Sequence, residues 1–550
     1  MIIFMARIKS SVRHTLFALL VVVLLAVAAF IFIESFQRTD PGAAPLRSVK
    51  ELTILHTNDI HGQVVPSDVE WPSAFPDGQA GGMASLGTFL NQERATADRE
   101  DRTVLYMDAG DWFTGTPEDD LLEGKLTILG FNETGLNYTT LGNHEFDVDT
   151  TVLKSRLEEL QAPVISSNVR YGDANTPFPG TRKWKVVKYD DIEIGLFGLV
   201  ELSYIPELPG LGEVFFIDET EAAREAVEQL KEQDVDLIVG ITHLGVDPDR
   251  QLARNVDGID IIVGGHSHTR LEEPERVRDT LILQAGNDLT SIGRLDLKLD
   301  AESNQILEYR GGLVTLYHEL YPPDPEVEEA LAPYIEEVGP EVAEVVATTT
   351  ASIERPPGPG SPLGNLVTDA MREAVDADIA FQNSFGIRDN LPEGEITRGD
   401  IYSVLPFRNY LVEMTLTGAQ IENILESEVA SPDVVMQLSG LEVETESLSP
   451  SQANLIDVKV NEEPLEAGRE YSVVTSNFLA ETRSEFQAVE NSFIRHEDLL
   501  LWQLLENHLR ELSPVEPPLE NRYPGLEDFI DGDVPKDEYT RRSLRLLPAA

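Results

Sequence analysis

Leu52-Thr53-Ile54-Leu55-His56-Thr57-Asn58-Asp59-Ile60-His61-Gly62 is an apolar, β-branched run that gives out into an Asp-x-His pair. The same grammar recurs down the chain. Val104-Leu105-Tyr106-Met107 precedes Gly110-Asp111, Leu237-Ile238-Val239 precedes Thr242-His243, and Ile259-Asp260-Ile261-Ile262-Val263 precedes Gly264-Gly265-His266-Ser267-His268. A further polar motif, Gly142-Asn143-His144-Glu145, lies between the second and third of these. Short apolar runs of this kind read as buried strands, and polar residues just past strand ends converge at one edge of a sheet. The decisive reading is therefore an α/β domain with its chemistry on the loops after the strands.

Working outward, helical patterns are expected at Met83 to Thr96, Thr151 to Leu160 and Thr220 to Gln233, alternating with strands up to about residue 315. Lys185 to Val200 reads as a hairpin turning at Tyr189-Asp190-Asp191, which makes the sheet mixed. Pro322-Pro323-Asp324-Pro325 opens a linker helix, Glu326 to Val346, interrupted near Gly339-Pro340. A second domain follows, with a helix at Leu363 to Val375 and strands at Leu411 to Leu416 and Glu470 to Thr475. Beyond Asn491 the chain is acidic with weak pattern. The expected division is 1–50 basic flank, apolar segment and linker; 51–320 catalytic domain; 321–347 linker helix; 348–505 second domain; 506–550 acidic tail.

Composition narrows the chemistry. The chain has no cysteine, so disulfides, thiolate metal sites and cysteine nucleophiles are excluded. Its 42 basic against 97 acidic residues leave a formal charge of -55, a field that repels nucleic-acid polymers and anionic lipid surfaces. Such acidity resembles proteins of salt-loving organisms, where short screening lengths make self-repulsion tolerable. A small anionic substrate remains compatible, held by metal ions and a few arginines.

Thr15 to Ile33 is an uncharged apolar run flanked by Arg7, Lys9 and Arg13 on one side and Glu34 on the other. It is long enough to cross a bilayer core of ~30 Å as a helix, with the basic flank cytoplasmic and the remaining chain outside. The expectation is a single N-terminal anchor in the cell membrane. The competing reading is a cleaved signal at Ala26-Val27-Ala28, giving a secreted enzyme.

Taken singly, a histidine is more often structural than a ligand. Here five of the 10 histidines, His61, His144, His243, His266 and His268, fall in these motifs, each beside Gly, Asp, Asn or a strand terminus. Asp59 and His61 can chelate one ion, the carboxylate of Asp111 can bridge two, Asn143 offers an amide oxygen, and His243, His266 and His268 add imidazoles. Mixed oxygen and nitrogen donors suit Zn²⁺, Mn²⁺, Fe or Co²⁺. Two divalent ions are expected, their identity open.

The motifs Ile54-Leu55-His56-Thr57-Asn58-Asp59-Ile60-His61-Gly62, Asp108-Ala109-Gly110-Asp111 and Leu141-Gly142-Asn143-His144-Glu145-Phe146-Asp147 resemble those of the 5′-nucleotidase family of dinuclear metallophosphoesterases. The resemblance runs over about residues 51 to 490 and implies a four-layer α/β/β/α calcineurin-like domain with a smaller α/β C-terminal domain. It implies one ion on Asp59, His61, Asp111 and His268, and another on Asp111, Asn143, His243 and His266. His268 stands where some members carry Gln or Asn. His144 in the family faces the transferred phosphoryl group, paired with the carboxylate matching Asp147. The implied reaction is in-line hydrolysis by a water that the cations acidify, with no covalent enzyme intermediate.

In the second domain, Pro362-Leu363-Gly364-Asn365, Asn383-Ser384-Phe385-Gly386-Ile387-Arg388, Leu405-Pro406-Phe407-Arg408-Asn409 and Ser476-Asn477-Phe478-Leu479-Ala480 resemble the family's substrate-binding motifs. The resemblance implies that Phe407 and Phe478 sandwich a nucleobase, that Arg388 reaches phosphate, and that Asn383 and Asn409 line the same site. Two stretches depart. Where nucleotide-specific relatives place a ribose-holding Asp in a Gly-Gly-Asp-Gly turn, this chain has Glu481-Thr482-Arg483-Ser484-Glu485, and Arg355 has no clear counterpart. The expected substrate is a small phosphoester, foremost a nucleoside 5′-monophosphate. A 2′,3′-cyclic nucleotide or a nucleotide sugar could serve the same centre. A non-catalytic nucleotide-binding surface protein is the alternative of another class, and the intact ligand set weighs against it.

Overall fold

The computed structural model describes residues 49–68, 78–201, 213–355, 360–429, 436–449 and 452–524. The Thr15 to Ile33 segment lies outside them. Among the described residues no helix is long and apolar enough to cross a membrane.

The first apolar run is the strand Val49–Thr57, and its last six residues are all buried. It sits in a seven-stranded sheet ordered Ile306–Thr315, Ser291–Asp300, Val49–Thr57, Thr103–Asp108, Tyr138–Thr139, Val164–Ile165, Thr181–Arg182. A six-stranded sheet is ordered Trp184–Tyr189, Ile192–Val200, Leu237–His243, Ile261–Gly264, Thr280–Leu283, Glu275–Val277. The inner faces meet in one core, Leu52, Ile54, Leu105 and Met107 of the first sheet against Leu196, Val239, Ile241 and Val263 of the second. The outer face of the first is covered by the helices Met83–Glu100, Lys125–Thr134 and Thr150–Glu159, through Leu86, Phe89, Phe131 and Leu153. Glu219–Glu232 and Val246–Asn255 cover the second through Ala223, Val227, Leu230 and Leu252. This is the four-layer α/β/β/α arrangement. Burial on both faces explains why the strands read as continuous apolar runs rather than alternating ones.

Register brings the strand ends level. Thr57 lies opposite Asp108 in a parallel pair, Val200 opposite His243, and Thr242 opposite Gly264. The loops that leave these strands therefore open at one edge of the two sheets. The predicted hairpin is present as Trp184–Tyr189 against Ile192–Val200, with Asp190 at φ 52° in its turn.

The linker helix spans Pro325–Val342 and keeps Pro333 and Pro340 within it, so the interruption expected near Gly339 is absent. Val327, Leu331 and Val338 are buried along it, and that packing outweighs the local proline penalty. Residues Val345–Thr349 leave the helix and pair as a strand with Gly394–Thr397.

The second domain is a five-stranded sheet ordered Met436–Ser439, Ile379–Asn383, Glu470–Ser476, Tyr410–Thr417, Ile494–Leu500. One face packs on the helices Pro362–Ala374 and Leu501–Leu512, the other on Gly418–Val429. The last strand and helix correct the expectation of weak structure after Asn491, and the helix crosses the 505/506 boundary. Its buried residues Leu501, Leu505 and Leu509 recur every four positions, a signal masked by the acidic and polar residues between them.

A candidate two-metal centre

The expected ligands come together past the level strand ends. Nε2 of His243 lies 2.9 Å from Oδ2 of Asp111, and Oδ1 of Asn143 is 3.1 Å from that nitrogen and 2.8 Å from Nδ1 of His266. On the other side, Nε2 of His268 is 3.3 Å from Oδ1 of Asp59 and 3.0 Å from Nε2 of His61. The donors fall into neighbouring clusters, Asp59 with His61 and His268, and Asp111 with His243 and His266, while His61 and Asp111 also group with His144. All are buried or nearly so.

The local backbone is shaped for this convergence. Asp59, His61, Asp111, His266 and His268 take φ of 52°, 51°, 56°, 75° and 50°. A left-handed conformation costs a residue with a Cβ on the order of 1–2 kcal/mol, so five together are maintained by their surroundings. Those surroundings are visible. Asp59 and His61 donate their backbone N–H to the carbonyls of Gly110 and Asp111, which binds the first loop to the second. Gly110 itself, at φ 86°, has the Gly142 backbone 2.6 Å from where a Cβ would stand, so only glycine lets the second loop approach the third.

Polar groups outside the expected ligand set fix the loops. Glu145, fully buried, accepts from the N–H groups of Trp112 at 2.6 Å and Asp111 at 3.1 Å and from that of Gly142, joining the Asp111 and Asn143 loops. Asn58 donates to Asp59 Oδ2 at 2.6 Å and to the Gly286 carbonyl, and accepts from Ala285. Gln284 donates to the Gly265 carbonyl and accepts from Ser267 and Thr269, setting the last loop. Glu145 and Asn58 stand within the quoted motifs. Adjacency to ligands was their only signal, whereas Gln284 had none.

The donor set fits divalent ions. His61 Nδ1 faces the Thr114 carbonyl at 3.0 Å and His243 Nδ1 faces the Ala109 carbonyl at 2.7 Å. Each Nδ1 must then carry the proton, which leaves Nε2 of His61 bare; on His243 burial is outweighed by Asp111 and Asp59, which push its pKa up to about 10, so its Nε2 proton is the one a bound cation would replace. Two Nε2 atoms 3.0 Å apart, on His61 and His268, can share only one proton between them, and a cation satisfies both lone pairs. Burial alone would raise Asp111, yet His243 and His144 hold its carboxyl well below the usual range. Burial holds His61 down at about 3, neutral and ready to ligate.

His144 stands differently. Its Nδ1 is 2.6 Å from Oδ2 of Asp147, and its Nε2 is 3.9 Å from Oδ2 of Asp111. Burial pulls its pKa down, but Asp147 and Asp111 outweigh that and push it up to about 9. These two carboxylates favour the imidazolium form, with Nε2 on the side of the centre.

The C-terminal residues divide. The Phe407 ring lies on the His144 imidazole, centroids 5.5 Å apart and planes 19° from parallel, and the Arg388 guanidinium carbon is 5.9 Å from the Phe407 centroid. Asn383 ends the strand Ile379–Asn383 with a buried Oδ1 that has no partner among the described residues. Asn409 follows Phe407 ahead of the strand Tyr410–Thr417. Phe478 packs, half-buried, against the core of the C-terminal domain. Arg355 donates to the Ile387 carbonyl at 2.7 Å, next to Arg388. In the segment that departs from the family motif, Arg495 reaches Glu481 at 3.3 Å and Arg483 reaches Glu428 at 2.6 Å.

Comparison with known proteins follows the same two-part layout. Residues 52–270 match the calcineurin-like phosphoesterase family and residues 342–491 match the 5′-nucleotidase C-terminal domain. The crystal structure of a 5′-nucleotidase precursor from Thermus thermophilus superposes with a TM-score of 0.75 at 30% identity, covering 86% of this chain and 99% of that one. A 5′-nucleotidase-related protein of Glossina morsitans morsitans is 27% identical over 86% of this chain and 94% of its own length. A trifunctional nucleotide phosphoesterase protein of Bacillus subtilis is 27% identical over 87% of this chain and 35% of its own length.

Proposed function

Since the chain belongs to the 5′-nucleotidase family and is a hydrolase of phosphoester bonds, we propose that its substrates are nucleotides, nucleoside 5′-monophosphates foremost, and that it uses two divalent ions. The observation that carries this reading is the pair of donor clusters with His144 beside both. One ion would be held by Asp59, His61, Asp111 and His268, the other by Asp111, Asn143, His243 and His266. When bound, such ions neutralise phosphoryl oxygens and make a water acidic enough to attack at neutral pH.

The chain's own residues do the rest. Asp147 fixes the His144 ring through Nδ1, so Nε2–H is presented to the phosphoryl group and can pass its proton to the leaving oxygen. Arg388, with a planar fork of donors, is suited to a phosphate oxygen pair on the C-terminal side. Glu145, Asn58 and Gln284 hold the loops in register so that little rearrangement accompanies the reaction.

Ion pairs tie down residues 481–485, where nucleotide-specific relatives hold the ribose, and this supports a site that reads the sugar weakly. Cyclic nucleotides and nucleotide sugars therefore stay on the substrate panel. We also assign the Thr15 to Ile33 run to export, as an anchor or a cleaved signal, on sequence grounds. The deciding experiment reloads the fragment after residue 40 with single divalent metals and measures phosphate release from nucleotide, deoxynucleotide, cyclic-nucleotide and nucleotide-sugar substrates. Absence of release from every nucleotide would refute the reading. Retention in membranes after alkaline washing separates anchor from cleaved signal.

A further inference from the structure

Phe407 was expected to meet a base, yet its clearest contact is with the reacting end of the site. The ring lies nearly parallel on the His144 imidazole at 5.5 Å. His144 is restrained from its other sides as well: Asp147 holds Nδ1 at 2.6 Å, and the His61 ring meets it edge-on at 5.2 Å and 66°. Phe407 is the contact that the C-terminal domain makes with this ring. Phe407 belongs to the loop between the helix Arg398–Val404 and the strand Tyr410–Thr417. Val404 of that helix accepts from the backbone N–H of Arg388, so the cation and the ring are carried by connected backbone.

We infer that Phe407 is a positioning residue for His144: the C-terminal domain lays an aromatic ring on the imidazole, fixing its plane and keeping water off that face. The phosphoryl-transfer site is then completed by both domains, independently of whether the leaving group carries a base. A flat ring restrains a flat imidazole in a way that an aliphatic side chain of similar volume does not, and it is the stacked partner an imidazole favours. This inference rests on the phosphoester-hydrolase reading but not on nucleotides being the substrate.

The test uses the full chain loaded with Mn²⁺ and compares Phe407→Leu, Phe407→Met and Phe407→Tyr. β-Glycerophosphate, which has no base or ring to stack, is the substrate, and phosphate release is measured. Misplacement of one catalytic group costs on the order of 10- to 10²-fold in rate, so Phe407→Leu and Phe407→Met lower kcat by that much with KM nearly unchanged, and Phe407→Tyr restores it. A second readout does not require turnover: deuterium labelling at the Cε1–H of the His144 imidazole, an exchange that proceeds from the imidazolium, followed by mass spectrometry of its peptide, becomes several-fold faster in the Leu and Met variants and stays at the wild-type rate in Phe407→Tyr. Wild-type kcat on β-glycerophosphate in the Leu and Met variants overturns the inference, and so does an unchanged labelling rate. If nucleotides prove not to be substrates while β-glycerophosphate is cleaved, the nucleotide reading falls and this one is still decided. If no phosphoester is cleaved, the labelling arm decides it alone.

Discussion

Replacing Glu145 by Gln asks whether the loops of the metal centre are held by an anion. Glu145 is fully buried, with Oε1 facing the N–H groups of Trp112 and Phe113 and Oε2 facing those of Asp111 and Gly142. Burial and the nearby Asp111 charge push its pKa up to about 8, yet four inward-pointing N–H donors call for two accepting oxygens rather than an O–H. Gln is the neutral near-isostere. It can serve one pair of donors, while its NH₂ confronts the other pair. Losing two hydrogen bonds to a charged acceptor costs about 1.5 kcal/mol each at the low end, or roughly 3 kcal/mol in all. At about 2 °C per kcal/mol for a domain of this size, the melting transition of the metal-loaded chain should fall by roughly 6 °C. The Asp111 loop is one of those released, so metal content and kcat should fall with it. Calorimetry and metal analysis on the same preparation check this. A Gln variant that melts within about 1 °C of wild type, with full metal content, would refute the argument, because it would mean that a protonated carboxyl serves equally well.

Asp111→Asn should lose both ions and nearly all activity because one carboxylate faces both donor clusters; retention of two ions by metal analysis would contradict the bridging role. His144→Ala should keep its ions while kcat falls roughly 10²-fold or more, since it removes a proton donor and not a ligand. Asp147 and Asp111 raise the pKa of His144, so kcat should decline on the alkaline side as the ring loses its proton, and Asp147→Asn, which removes a charge that raises it, should move the decline to lower pH by on the order of one unit. With a formal charge of -55, the chain should melt at higher temperature in molar KCl than at low salt, as screening relieves self-repulsion; an unchanged melting temperature would remove the halophile-like reading.

The primary structure by itself determined the layered α/β fold and named the candidate donors that the strand-end loops bring together. Both are local properties: a buried parallel strand is an unbroken apolar run, and a ligand beside Gly or Asn at the end of such a run has few other uses. It also carried the hairpin at Asp190 and the Pro325–Val342 helix, though local rules placed a break that packing of Val338 overrides. Contacts between residues far apart in sequence were decided only in three dimensions. Glu145 reads as part of a motif, but its work is defined by N–H groups more than 30 residues away. Leu501, Leu505 and Leu509 form a core helix because the sheet face of Ala380, Leu411 and Val474 stands ready to receive them, which no window of the acidic C-terminal stretch reveals. The same holds for Phe407 on His144, 263 positions earlier in the chain. Motif resemblance supplies each residue with a role inside its own domain, whereas apposition of the two domains puts the ring on the imidazole, and that apposition depends on the sum of many packing contacts rather than on any one stretch of sequence.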